Sequence, residues 1–186
     1  MTVVLIVVIA IVAILVLFVV ATYNGLVRTR NRIDNAQSQI EVQLKRRHDL
    51  IPNLVETVKG YAAHERQTLE AVTSARTHAI DASSGSLADQ AQAENVLSGA
   101  LKSLFAVAEA YPDLKANANF LALQEELTST EDRIAYARQF FNDAVLSYNT
   151  RIQTFPANLL AGTFGFSPRE YFDGDPGDAA PVDVRF

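Results

Sequence analysis

The chain has 186 residues, room for one ordinary domain or for one domain plus an anchor. It contains no cysteine, which excludes disulfides, thiolate metal sites and cysteine nucleophiles. The formal net charge of -5 makes it a poor general nucleic-acid binder, because phosphate neutralisation needs clustered Lys and Arg. Hydrophobic residues make up 49%, and a large block of them is gathered at the N-terminus, ahead of every charged side chain.

From Val3 to Ala21 every residue is apolar, with no charge, Pro or Gly. At a rise of about 1.5 Å per residue this run covers roughly the 30 Å of bilayer hydrocarbon. Val and Ile are mediocre helix formers in water, but in lipid a helix is the way a lone segment satisfies its backbone. A cleaved signal peptide fits less well. Met1 and Thr2 form a very short leader without a basic residue, and no small-x-small cleavage site comes after the run. Residues 1–22 are therefore expected to be a retained transmembrane anchor, with lipid contacted through residues 3–21. Arg28, Arg30 and Arg32 lie just behind the span, and no basic side chain lies ahead of it. The positive-inside rule then places the C-terminal domain in the cytoplasm and Met1 outside, with the three arginines near anionic head groups.

Residues 23–155 read as a long-helix bundle. Leu26, Ile33, Ile40, Leu44 and Ile51 form a narrow apolar seam at helical period, and Pro52 is expected to interrupt it. Asp49 or Asn53 would cap a new helix there. A second stripe passes through Leu54, Val58, Tyr61, Leu69, Val72, Ala75 and Ala79, closed by the turn-forming run at 81–86. The third passes through Leu87, Ala91, Leu97, Leu101, Leu104, Phe105 and Ala108 to a break at Tyr111-Pro112, with Asp113 expected to cap the next helix. The fourth is the longest, from Phe120 through Leu127, Ile134, Phe141 and Tyr148 to Phe155, where Pro156 ends it. No convincing period-2 run appears. The expected fold class is all-α: an N-terminal transmembrane helix followed by an elongated antiparallel bundle of about four long helices. An elongated rod exposes much surface for its volume, so lateral self-association is also expected.

Residues 156–186 form an aromatic and acidic tail. Gly162, Gly165 and Pro168 break it too often for a long helix, while Phe164, Phe166, Tyr171 and Phe172 suit it to docking against protein. Asp173 to Asp178 reads as a flexible acidic link. The final alternating residues, ending in Phe186, read equally as an edge strand added to a partner or as a frayed terminus.

Several short motifs together resemble the LemA family. They are Gln43-Leu44-Lys45-Arg46-Arg47-His48-Asp49-Leu50-Ile51-Pro52-Asn53-Leu54-Val55, then Val58-Lys59-Gly60-Tyr61-Ala62 with His64-Glu65, and upstream Tyr23-Asn24-Gly25-Leu26-Val27. Downstream stand Tyr111 to Asn117, Gln124-Glu125-Glu126-Leu127, Asn142 to Val145, Tyr148-Asn149-Thr150, Phe155-Pro156 and Gly165-Phe166. The resemblance covers nearly the whole chain. It implies a bacterial membrane protein with one N-terminal pass and a long-helix cytoplasmic domain, and no established enzymatic activity. One branch of the family is associated with building magnetosome membranes, which implies a role in membrane organisation. Gln37 stands where the family often has Trp, and Phe141 where it often has Tyr.

No catalytic, cofactor or metal constellation emerges. His64-Glu65 begins like a zincin motif, but Thr68 replaces the second histidine. His64 and His78 would stand roughly 21 Å apart on one helix, too far to share a metal. Glu125, Glu126, Glu131 and Asp132 lack the Glu-x-x-His partner of a di-metal site, and Arg133 and Arg138 suggest ion pairs within the helix. The block Lys45, Arg46, Arg47 has two readings, a solvated basic helix end or a docking patch for an acidic surface. The expected role is a non-enzymatic scaffold at the bacterial cytoplasmic membrane, self-associating as a homo-oligomer and contacting other membrane proteins, with no cofactor. The alternative is an accessory subunit of a membrane enzyme such as a protease.

Overall fold

A computed structural model describes residues 1–172. They form six helices and no strand: α1 (Thr2–Lys59), α2 (Arg66–Ala82), α3 (Leu87–Ala108), α4 (Pro112–Lys115), α5 (Ala118–Gln153) and α6 (Asn158–Ala161). The all-α expectation holds. The helices divide into two compact units, one of residues 1–37 with 140–170, the other of residues 38–139 with Tyr171 and Phe172.

In the first unit the apolar run at the start of α1 is uncovered; the helix is long and apolar enough to cross a membrane, and none of its apolar window is buried. Burial begins with Leu26 and continues through Ile33 and Ala36 on α1, matched by Phe141, Ala144, Val145, Tyr148 and Ile152 on α5. The two helices run antiparallel here. Arg32 lies over Phe140 while Arg151, later on α5, covers Gly25, earlier on α1. Gly25 provides the notch for that guanidinium, which a side chain there would displace.

The second unit is a bundle built from the end of α1, then α2, α3 and the start of α5. Ile51, Leu54 and Val58 meet Leu69, Val72 and Ala79, Leu97, Leu101 and Leu104, and Phe120 and Leu127 in one core. Ser86 starts α3 with a capping box: its hydroxyl accepts from the Asp89 N–H at 3.1 Å, and Asp89 accepts from the Ser86 N–H. Asn117, not Asp113, caps α5, its Oδ1 accepting from the N–H groups of Asn119 and Phe120 at 2.9 and 3.0 Å. Asp113 instead lies in the first turn of α4.

The first break falls elsewhere than the sequence suggests. Pro52 does not end the first bundle helix; α1 continues through it to Lys59, so neither Asp49 nor Asn53 caps a new helix. Proline has no N–H for the carbonyl four residues earlier, that of His48. Arg76 of α2 supplies the missing donor, its Nε reaching the His48 oxygen at 2.7 Å. The real break spans Gly60–Glu65, so Leu54 and Val58 belong to α1 while Leu69 onward belongs to α2. The stripe reads through because Val58, Ala62 and Leu69 are all buried in the same core. Tyr61 and Glu65 anchor this turn, accepting hydrogen bonds from Asn117 Nδ2 at 2.9 Å and from the Tyr111 hydroxyl at 3.0 Å.

Arg76→Ala is expected to cost about 1–3 kcal/mol by leaving the His48 carbonyl unpaired. Adding Pro52→Ala restores an N–H within α1 and should recover most of that loss. Urea unfolding of the full chain in detergent measures both, and a double variant no more stable than Arg76→Ala alone would refute the pairing.

Candidate functional site

Two places gather the chemically distinctive side chains, a buried charge cluster in the second unit and an aromatic cluster in the first. The charge cluster starts from helix register. Arg47 comes three residues after Leu44 and four before Ile51, so it lies on the seam that α1 turns toward the core. It is fully buried. Its guanidinium pairs with Glu94 of α3 and Glu131 of α5, and Nη1 also donates to Ser98 Oγ at 2.9 Å. His48 Nε2 stands 2.9 Å from the other Glu94 oxygen. Glu94 is itself fully buried, three residues after Ala91 and three before Leu97 on the apolar face of α3. Burial pushes its carboxyl up, but the His48 hydrogen bond and the Arg47 charge outweigh that and hold it below the ordinary value of 4.5. The arrangement sets one guanidinium between two carboxylates and ties α1, α3 and α5 together.

This corrects the reading of Lys45, Arg46 and Arg47 as one basic patch. The block is neither a helix end, since α1 runs on to Lys59, nor uniformly exposed. Lys45 faces solvent and pairs with Asp49 at 2.7 Å; Arg46 reaches Glu126 on α5; Arg47 is inside. Glu126 and Glu131 thus pair with arginines of another helix rather than with Arg133 or Arg138. Arg138 instead donates to Asn95 Oδ1 at 3.3 Å and lies over the Phe172 ring. Beside His48 an open groove of about 520 Å³ is lined by Lys45, Asp49, Arg76 and Gln90, among others. Among the described residues no three His, Asp or Glu side chains are grouped to hold a metal.

The aromatic cluster forms where the chain after α5 turns back. Gly165, at φ 73°, closes the turn. The Phe166 N–H bonds to the Ala161 carbonyl at 2.9 Å and the Gly165 N–H to that of Gly162 at 3.3 Å, the paired bonds of a Schellman turn. Phe166 is thereby buried, and its ring meets Tyr23 edge-on at 5.7 Å, while Phe164 meets the same ring at 5.2 Å and stays 44% exposed. Arg30 lies over Phe166 at 5.6 Å, Arg32 over Phe140 at 5.0 Å, and Arg28 is exposed. Further on, Asn149 grips the backbone of Arg169 in both directions at 2.9 Å, and the Arg169 guanidinium bonds Asp34 at 2.7 Å. Within the described residues the tail is therefore docked on its own chain. Phe172 is buried, so neither it nor Phe166 is open to a partner; Tyr171 remains partly exposed, and Phe186 lies outside the described residues.

Sequence reasoning passed over Glu94 and Arg151, and met His48 and Asn149 only as members of short motifs, without their partners. Glu94 left a signal, an acid set on an apolar helical face. Asn149 left none beyond its family motif, because its partner is a backbone twenty residues away in an irregular segment.

Known proteins resemble the chain over most of its length. The profile of the LemA family matches residues 36–186. Magnetosome protein MamQ 2 of Paramagnetospirillum magneticum is 28% identical over 184 residues, covering 86% of this chain and 68% of that protein. Protein LemA of Metamycoplasma hominis is 33% identical over 140 residues, covering 74% of this chain and 63% of that protein. Magnetosome protein MamQ of Magnetospirillum gryphiswaldense is 27% identical over 184 residues, with 86% and 68% covered.

Proposed function

Because the chain belongs to the LemA family, we propose that it is a non-enzymatic, membrane-anchored helical scaffold that self-associates and organises membrane or membrane proteins. One observation carries this reading. A single helix, α1, supplies both an uncovered apolar stretch long enough to cross a bilayer and the seam on which helical partners pack. Its relatives named as magnetosome proteins support a place at a membrane structure. Arg28, Arg30 and Arg32 behind the span favour the bacterial cytoplasmic membrane with Met1 outside and the bundle in the cytoplasm.

Self-association is favoured by the surface that the bundle leaves uncovered. Tyr136 of α5 is 71% exposed beside an open groove of about 450 Å³ that Gln39, Gln43 and Arg133 also line. A large amphipathic ring beside amide and guanidinium groups is the composition of protein contact surfaces. The test is native mass measurement of the full chain extracted in mild detergent. A discrete multi-copy assembly is expected, and a monomer at every concentration would overturn the scaffold reading.

A further inference from the structure

We infer that residues 155–164 form a second membrane contact, an apolar turn that dips into the headgroup–acyl boundary of the leaflet from which the span emerges. The inference rests on the reading that residues 3–21 lie in lipid. Its basis is the placement of this turn in the first unit.

Tyr23 stands two positions after Ala21, the last residue of the apolar run, at the level where aromatic side chains gather at a bilayer surface. Phe164 and Phe166 pack edge-on against that same ring, at 5.2 and 5.7 Å. On the facing helix Arg151 covers Gly25, and α5 runs antiparallel to α1, so each residue after Arg151 moves toward the span. Phe155 lies four residues further on, in the turn that follows the end of α5 at Gln153, on the side of Arg151 toward the span.

The turn is built for an apolar surface on one side and protein on the other. Ala157, Ala161 and Phe166 are buried, whereas Phe155 is 79%, Leu159 67% and Phe164 44% exposed. Residues 152–168 contain no charged side chain, while Arg151 and Arg169 flank them. Exposed Phe and Leu at the tip of an uncharged turn, with Arg151 on one side and the Asp34-paired Arg169 on the other, suit a segment lying in the interface plane. Arg28 and Arg151, both exposed at this end, are placed for anionic head groups. Continuity with the span favours lipid as the occupant over a second copy of the chain.

The absence of native cysteine allows single, unique labels in the full chain. Leu159→Cys, Ile11→Cys in the span and Val42→Cys on the exposed face of α1 are each labelled with bimane. Each is reconstituted in phosphatidylcholine–phosphatidylglycerol vesicles containing acyl-brominated lipid. Bromolipid is expected to quench the labels at 159 and 11 several-fold more than the label at 42. Quenching at 11 with none at 159 overturns the second contact and leaves the anchor standing. No quenching at 11 overturns the anchor, and this inference with it. A label at 159 shielded from aqueous iodide but untouched by bromolipid would mean that protein covers the turn, which also overturns the inference.

Discussion

Replacing Arg47 by Met is expected to destabilise the bundle by about 3–5 kcal/mol, the usual cost of removing one partner from a buried ion pair. The loss stems less from the missing attraction than from the charge left behind. Glu94 is fully buried, and without the guanidinium the partner it keeps among the described residues is His48. Arg47→Met with Glu94→Leu removes both charges and should be markedly more stable than Arg47→Met alone, because a packed apolar pair needs no solvation. Urea unfolding followed by helical circular dichroism, with the full chain in detergent, measures the set. A loss below about 1 kcal/mol for Arg47→Met would mean that water reaches the site and that the cluster is not a structural tie.

The same cluster sets a pH response. Glu94 has its folded carboxyl held below the ordinary 4.5, so folding is favoured by its ionisation. That contribution is fully present above 4.5 and is lost as pH falls from there through the folded value. The native chain should therefore weaken progressively below 4.5, and Glu94→Gln, weaker at neutral pH, should lose less over that window.

Deleting residues 3–21 should transfer the chain from a carbonate-resistant membrane fraction to the soluble fraction, while its circular dichroism stays strongly helical. Each Leu, Ile, Val or Phe near the centre of a spanning helix favours insertion by about 0.3–0.6 kcal/mol, and this run contains little else. None of its apolar window is buried against the rest of the chain and only Val19 is partly covered, so its removal takes little packing from the bundle. A deleted chain that still pellets with membranes through carbonate would sink the anchor reading. A spectrum dominated by coil would show that helices depend on the span.

Helical periodicity, the turn at 81–86, the break before Pro112 and the end at Pro156 are all legible because they are local. Apolar spacing reports which face is hidden, and glycine, proline and small polar residues report where a helix cannot continue. The register even held the clue to Arg47, which shares the seam with Leu44 and Ile51, and to Glu94 between Ala91 and Leu97. Charged residues are ordinarily surface residues, and that expectation masks both signals. Pro52 misleads for the opposite reason. Its local rule is sound, but the donor that satisfies the freed His48 carbonyl comes from Arg76, on another helix.

From the sequence alone came the all-α class, the apolar stretch long enough for a bilayer, the existence of four long helical seams and the family. Each is set by residue type and spacing along one helix, where neighbours in space are neighbours in sequence. Tertiary structure alone decided that α1 runs unbroken through Pro52, that Arg47 is buried against Glu94 and Glu131, and that the chain after α5 returns to Tyr23. Those outcomes depend on which distant groups meet. A missing donor or an uncompensated charge is an energetic fault only until a partner from elsewhere in the chain repairs it, and that partner's position is set by packing.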